Sequence, residues 1–271
     1  MMPEPNNQKN KPIILETRKL TKIFGGLTAV SAFDLAVHEG EISSLIGPNG
    51  AGKTTVFNAV TGIYRPEGGQ IIFNGEEITG KKPHQIVAKG IARTFQNIRL
   101  FSTMTCLENI MAGQHCRASA GVWGSIFRTA RQKNEEKRAL EIAESRVRQV
   151  RLWEIRNDLA KNIAYGSQRM LEIARALASE PTLLVLDEPS SGLNPRETED
   201  LMVFLKDLIR QENVTILLIE HDMNMVMGIS DWVTVMDGGQ KIAEGTPDEV
   251  YNNPRVIEAY LGTDDDDEEE I

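Results

Sequence analysis

The run Gly47-Pro48-Asn49-Gly50-Ala51-Gly52-Lys53-Thr54 constrains this chain more than any other feature. It fits G-x-x-x-x-G-K-[ST] and stands between a strand-like run, Ile42 to Ile46, and a helix-like stretch, Thr54 to Thr61, that Gly62 ends. Glycines at these places let successive backbone N–H groups turn inward as an anion nest, and the helix N-terminus adds the positive end of its dipole. In such a loop Lys53 reaches the β- and γ-phosphates, the Thr54 hydroxyl ligates Mg²⁺ and Thr55 adds a phosphate contact. A chain built around this loop is an α/β protein that binds a nucleoside triphosphate.

The rest of the pattern agrees. Short β-branched runs alternate with amphipathic stretches, and Leu183 to Leu186 and Val214 to Ile219 are apolar enough to be strands buried on both faces. The first of these runs into Asp187-Glu188, placing two carboxylates at a strand's carboxyl end, where open parallel sheets hold ligands. Beside a phosphate loop, Asp187 suits the hydration shell of Mg²⁺ and Glu188 suits a general base for an attacking water. Asn194-Pro195-Arg196-Glu197 reads as a helix start with its capping box, fixing Ser191-Gly192-Leu193 as a turn just after the carboxylates. His221 follows the second strand at the same edge, either incidental or in reach of a γ-phosphate. Trp232 to Met236, Asp237-Gly238-Gly239 and Lys241-Ile242 form a late hairpin.

Residues 97–181 differ and read as a mainly helical insertion. Leu140, Ala143, Val147 and Val150 recur at helical spacing in a stretch from about Glu135 to Leu152, and a basic-tinged segment, Arg117 to Arg138, reads as a solvated helix face or loop, with a partner-binding surface as the alternative. The formal charge of −9 includes seven consecutive acids, Asp264 to Glu270. With that run set aside the body is close to neutral, and no basic tract exists, so nucleic acid is not an expected partner. No apolar run reaches membrane-spanning length, residues 1–12 carry no secretory core, and Cys106 and Cys116 form no metal or redox pair, so a reducing, cytosolic setting is expected.

The phosphate loop, Gln96, Ala164-Tyr165-Gly166-Ser167-Gln168-Arg169, Asp187-Glu188, Ser191-Gly192-Leu193-Asn194 and His221 follow the order of ABC-type ATP-binding cassettes, which the chain resembles over about residues 13–262. Arg93-Thr94-Phe95-Gln96-Asn97, Glu220-His221-Asp222-Met223, Met227-Gly228-Ile229-Ser230-Asp231 and the ending Asn253-Pro254 to Ala259-Tyr260-Leu261-Gly262 narrow the resemblance to LivG-type cassettes of branched-chain amino acid importers, with urea and short-amide cassettes as alternatives. The resemblance implies a P-loop NTPase (RecA-like) α/β core with an antiparallel β part and an inserted helical signature subdomain. The divisions are a lead (1–12), core (13–96), signature subdomain (97–181), core (182–262) and acidic tail (263–271).

It also implies roles. Gln96 would touch Mg²⁺ and the attacking water while sensing a membrane subunit, and His221 would hold the γ-phosphate. Phe24 would stack on adenine, with Val30 beside the base. The signature departs from L-S-G-G-Q: Ile163 replaces Leu, Ala164 replaces Ser, Tyr165 replaces the first Gly and Ser167 replaces Gln, while Gly166 survives. A strong helix follows, with Met170, Ile173, Ala174 and Leu177 as its apolar stripe. The implied assembly is a head-to-tail pair with a second, different cassette, docked on two membrane-spanning permease subunits at the cytoplasmic face and served indirectly by a substrate-binding protein. The implied cofactors are ATP and Mg²⁺. A soluble ABC protein acting on ribosomes or DNA, and a module that holds ATP without turnover, are the contrasting readings.

Overall fold

The structure, a computed structural model, describes residues 11–114 and 130–261; most of the lead, Cys116, the stretch 117–129, Gly262 and the acidic tail lie outside the described residues. Two sheets organise it. Strands β1 (Ile13–Phe24) and β2 (Leu27–His38) form an antiparallel hairpin. With β4 (Gly68–Phe73) and β5 (Glu76–Glu77) they make a four-stranded sheet in the order β2-β1-β4-β5. The second sheet holds β3 (Ile42–Ile46), β6 (Ile91–Arg93), β7 (Leu183–Asp187), β8 (Thr215–Ile219), β9 (Trp232–Asp237) and β10 (Gln240–Gly245). Their order is β10-β9-β3-β8-β7-β6, all parallel except the edge strand β10.

Strands β3, β7 and β8 are buried at every position, as continuous apolar runs in a two-sided sheet should be. Two hydroxyls in β3 break the apolar rule and are both satisfied, Ser43 by Glu41 at 2.6 Å and Ser44 by Ser230 at 2.6 Å. On one face of this sheet, helix α1 (Lys53–Val60) and the antiparallel sheet close a core containing Leu15, Phe33, Val37, Val56, Phe57 and Leu217. The opposite face carries α5 (Tyr165–Leu177) and α6 (Pro195–Glu212), whose Ile173, Leu177, Leu201, Leu205 and Leu208 meet Leu184, Leu186, Ile216 and Leu218. Helix α2 (Pro83–Ala88) leads into β6, and α7 (Met223–Ile229), α8 (Pro247–Tyr251) and α9 (Pro254–Leu261) cover β9 through a small core around Val226, Val233, Val235 and Val250.

A separate core lies among α3 (Cys106–Ala112), α4 (Ala130–Gln149) and α5, with Cys106, Ile110, Ala143, Val147, Leu171 and Ala174 at its centre. Helix α5 is thus shared: Ile173 and Leu177 face the sheet while Leu171 and Ala174 face the helical core. Cys106 is a plain buried thiol, pushed up to about 11 by burial and then by the charge of Asp158. Of the apolar residues that recur at helical spacing here, Ala143, Val147 and Val150 are buried and Leu140 is 38% exposed. No helix among the described residues is long and apolar enough to cross a membrane.

Candidate nucleotide site

Strand β3 delivers the chain into the glycine loop at the middle of the parallel sheet. Gly47 has φ +150, and a Cβ there would stand 1.9 Å from the carbonyl oxygen of Met236. Gly52, at φ +103, would set a Cβ 2.5 Å from the carbonyl oxygen of Ala29. Glycine is therefore required by both conformation and space. The turn between β9 and β10 braces the loop: Gly239 N–H donates to Ala51 O at 3.0 Å, and Ser31 N–H donates to Gly239 O at 2.8 Å. Helix α1 starts at Gly52 without a capping side chain, leaving first-turn N–H groups for an anion.

Lys53 folds over this loop, donating to the carbonyls of Gly47 at 2.6 Å and Pro48 at 2.9 Å. Burial pushes its ammonium down from the ordinary lysine value, opposed by Glu188 and Asp187. Gly47, Pro48 and Ala51 are buried, whereas Asn49, Gly50 and Thr54 are exposed and Thr55 is half-buried.

The structure places Asp187 and Glu188 at the end of β7, beside the loop, as the sequence pattern requires. Asp187 is nearly buried and its Oδ2 accepts from Arg93 Nη2 at 2.7 Å. Arg93 also donates from Nη1 to Asn58 Oδ1 at 2.7 Å and to Thr61 Oγ1 at 3.0 Å, so one guanidinium ties β6, β7 and α1 together. Glu188 adopts φ +46, a strained conformation for a non-glycine residue, and donates its N–H to Ile219 O at 2.9 Å. Its Oε2 accepts from Gln96 Nε2 at 2.7 Å and lies 3.7 Å from His221 Nδ1. The hydrogen bond to Glu188 leaves the amide oxygen of Gln96 as an acceptor. Thr54, Asp187 and Gln96 together offer hard oxygen donors of the kind Mg²⁺ takes. Among the described residues no cluster of three or more His, Cys, Asp or Glu side chains competes as a metal site.

Two buried charges shape this edge and were not read from the sequence as site residues. Arg93 is the first. Glu220, fully buried, is the other; it accepts from Ser190 N–H at 2.8 Å and from His221 N–H at 3.1 Å, fixing the turns after β7 and β8. A carboxylate directly after an apolar strand was the available signal.

Phe24 is 40% exposed at the end of β1, edge-on to Tyr64 at a centroid distance of 5.2 Å, with Lys22 Nζ 4.9 Å from its ring centroid. It presents an aromatic surface. Val30 does not present one: it is completely buried, and a Cβ on Gly52 would lie 3.5 Å from its Cγ2. Its side chain lies against the phosphate loop at Gly52.

Ala164 is the N-cap of α5 and offers no capping side chain. Tyr165 is 44% exposed, and its hydroxyl donates to Ser191 O at 3.2 Å. Gly166 faces the Glu197 carboxylate, 2.4 Å from where a Cβ would stand. Asn194 and Glu197 cap α6 reciprocally, as the spacing predicts. Gly166 and Ser167 also border a cavity of about 470 Å³ lined by α5, α6 and residues 149–152, with no residue of the glycine loop in its wall.

A phosphate loop at the carboxyl end of β3, with two acids at the carboxyl end of β7, one strand beyond β8 in the same parallel sheet, defines a P-loop nucleoside triphosphatase. The family model described as ABC transporter matches residues 30–191, and that described as branched-chain amino acid ATP-binding cassette transporter matches residues 240–266. The high-affinity branched-chain amino acid transport ATP-binding protein BraF of Pseudomonas aeruginosa is 49% identical over 249 residues, covering 92% of this chain and 98% of that protein. LivG of Escherichia coli, described in the same words, is 46% identical with the same coverage. A solved nucleotide-free ATP-binding cassette from an ABC transporter superposes with a TM-score of 0.81 at 32% identity, covering 92% of this chain and 99% of that one. The chain belongs to the ABC transporter ATP-binding family, in its LivG/BraF branch, and is an ATPase of that class.

Proposed function

We propose that this chain is the motor of a branched-chain amino acid importer, hydrolysing Mg-ATP at the Lys53–Asp187–Glu188 edge and driving separate membrane subunits. What carries the reading is the convergence of Gln96 and His221 on the Glu188 carboxylate beside the phosphate loop. The cargo follows the printed names of the LivG and BraF relatives.

In this reading the backbone of residues 47–55 and Lys53 hold the phosphates and Phe24 stacks on adenine. Glu188 takes a proton from the attacking water, which Gln96 and His221 position. Thr54, Asp187 and Gln96 hold Mg²⁺, which supplies neutralisation of phosphate charge. Residues 97–181 act as a helical unit whose signature segment, Ala164 to Ser167, closes over the ATP of a second cassette. That second cassette is a different chain, because Ala164 lacks the hydroxyl of the usual signature. The pair sits peripherally on the cytoplasmic face against two permease subunits, with a binding protein delivering cargo.

The test is phosphate release by the assembled transporter with Glu188→Gln. We expect ATP binding to persist while hydrolysis falls roughly 10²–10⁴-fold, the range of a lost general base. A rate close to wild type would remove Glu188 from that role.

A further inference from the structure

Helix α5 buries two opposite charges in a setting otherwise made of leucine, isoleucine and alanine. Arg169 is fully buried and Glu172 is 1% exposed, 3.1 Å apart between Nη1 and Oε2. Replacing such a pair by apolar side chains is often neutral or stabilising, so stability alone does not account for it. Burial raises the Glu172 carboxyl above its ordinary value, against the Arg99 N–H and the charges of Arg169 and Arg175.

The two charges grip one segment. Arg169 Nη1 donates to Phe95 O and Nη2 to Gln96 O, each at 2.8 Å, and Nη2 also stands 3.4 Å from the Tyr165 hydroxyl. Glu172 Oε1 accepts from Arg99 N–H at 3.1 Å. Upstream, Thr94 N–H still donates to Val185 O at 3.0 Å; beyond that the chain leaves the parallel sheet. The Phe95 ring is set between guanidinium groups, Arg99 at 4.2 Å and Arg93 at 4.9 Å from its centroid. Gln96 therefore has its carbonyl fixed to α5 and its side chain fixed to Glu188, 2.7 Å away on β7.

We propose that Arg169 is a positioning residue for ATP hydrolysis: by taking the carbonyls of Phe95 and Gln96 it aims the Gln96 amide at Glu188 and ties that contact to the orientation of α5. The inference rests on the reading of Gln96 and Glu188 as parts of the hydrolytic machinery. Its consequence is directional. A shift of α5 relative to the sheet moves the Gln96 backbone with it, so the helical unit controls turnover through two hydrogen bonds without touching nucleotide.

The experiment compares the wild-type chain with Arg169→Met/Glu172→Leu, Gln96→Ala and the triple variant, following kcat and KM for ATP in the assembled transporter and thermal melting of the free chain. The apolar pair is chosen because it removes both charges of the Arg169–Glu172 pair together, while Arg175, 4.0 Å from Glu172, keeps the Arg99 carbonyl as its partner. We expect melting near wild type, kcat lowered roughly 10- to 100-fold by lost alignment and KM little changed. Gln96→Ala should show the same fall, and the triple variant should be no slower than Gln96→Ala alone. If the apolar pair does not fold, Arg169→Lys, which keeps the charge but cannot span both carbonyls, is read by the same comparison. A folded pair variant with wild-type kcat beside a slow Gln96→Ala overturns this inference and leaves the hydrolytic reading standing. Multiplying effects in the triple variant, or a change confined to KM, overturn it too. A Gln96→Ala variant as fast as wild type overturns the role of Gln96 and the inference with it.

Discussion

Helices α1 and α5 both begin without a side-chain cap, whereas α3, α6 and α8 each carry a complete capping box. The starts of α1 and α5 are the phosphate loop and the signature segment, the places that the cassette reading gives to phosphate, although α2 too starts, at Lys82, without a side-chain cap hydrogen bond. Their surroundings differ. Gly47 and Gly52 are boxed by backbone carbonyls of Met236 and Ala29, groups that cannot swing aside. Gly166 meets only the carboxylate end of Glu197, and Ala164 and Tyr165 are exposed. The start of α1 is walled in by this chain's own backbone; that of α5 is bordered by side chains and solvent.

The largest expected effect tests that contrast. Gly47→Ala drives a Cβ into the Met236 carbonyl at 1.9 Å and should destabilise the nucleotide-free chain by about 3 kcal/mol or more in urea unfolding, with loss of ATP binding. Gly166→Ala should leave stability within about 1 kcal/mol of wild type, because gained helix propensity offsets displacement of the Glu197 carboxylate. Equal losses at both positions would mean that the signature turn is as rigidly built as the phosphate loop.

What the sequence made legible divides along the same line. The phosphate loop, Asp187, Glu188 and the Asn194 capping box are local patterns whose chemistry is written within eight residues. Arg93 with Asp187, Arg169 with Phe95 and Glu220 with Ser190 join positions 94, 74 and 30 residues apart, and no local pattern encodes such a pairing. Strand β1 was hard to read for a different reason. Its register against β2 shifts at several bulges, with Lys19 at φ +48 and Ala32 at φ +44, so the alternation that marks a strand is broken. Leu140 shows a different limit: helical spacing groups it with Ala143, Val147 and Val150, and tertiary packing leaves it 38% exposed while they are buried.

A smaller effect is expected at the bridge between the two regions. Asn194 Oδ1 accepts from Glu197 N–H at 3.0 Å while Glu197 Oε2 accepts from Asn194 N–H at 3.0 Å. Asn194→Ala should cost about 1 kcal/mol of stability and free the Glu197 carboxylate that borders Gly166. Thermal melting of the nucleotide-free chain reads the loss. An unchanged melting temperature would show that α6 is held by its packing on the sheet and that the turn after Glu188 does not depend on the cap.

Ala164→Ser carries the smallest change in stability and the sharpest consequence for the comparison. A serine at the N-cap of α5 can accept from an N–H of the first turn, and should raise stability of the free chain by about 0.5–1 kcal/mol. The same hydroxyl keeps its proton as a donor, so capping the helix does not use up its capacity to meet a phosphate. Under the proposed head-to-tail pairing that donor would face only the ATP held by the partner, where a charge-assisted hydrogen bond is worth ~1.5–3 kcal/mol. The site built on this chain's own Lys53 and Glu188 should not respond. Site-resolved turnover in the assembled transporter checks this: a change at the partner-held site alone sharpens the division between a self-contained loop and a signature completed in trans, and equal changes at both sites break it.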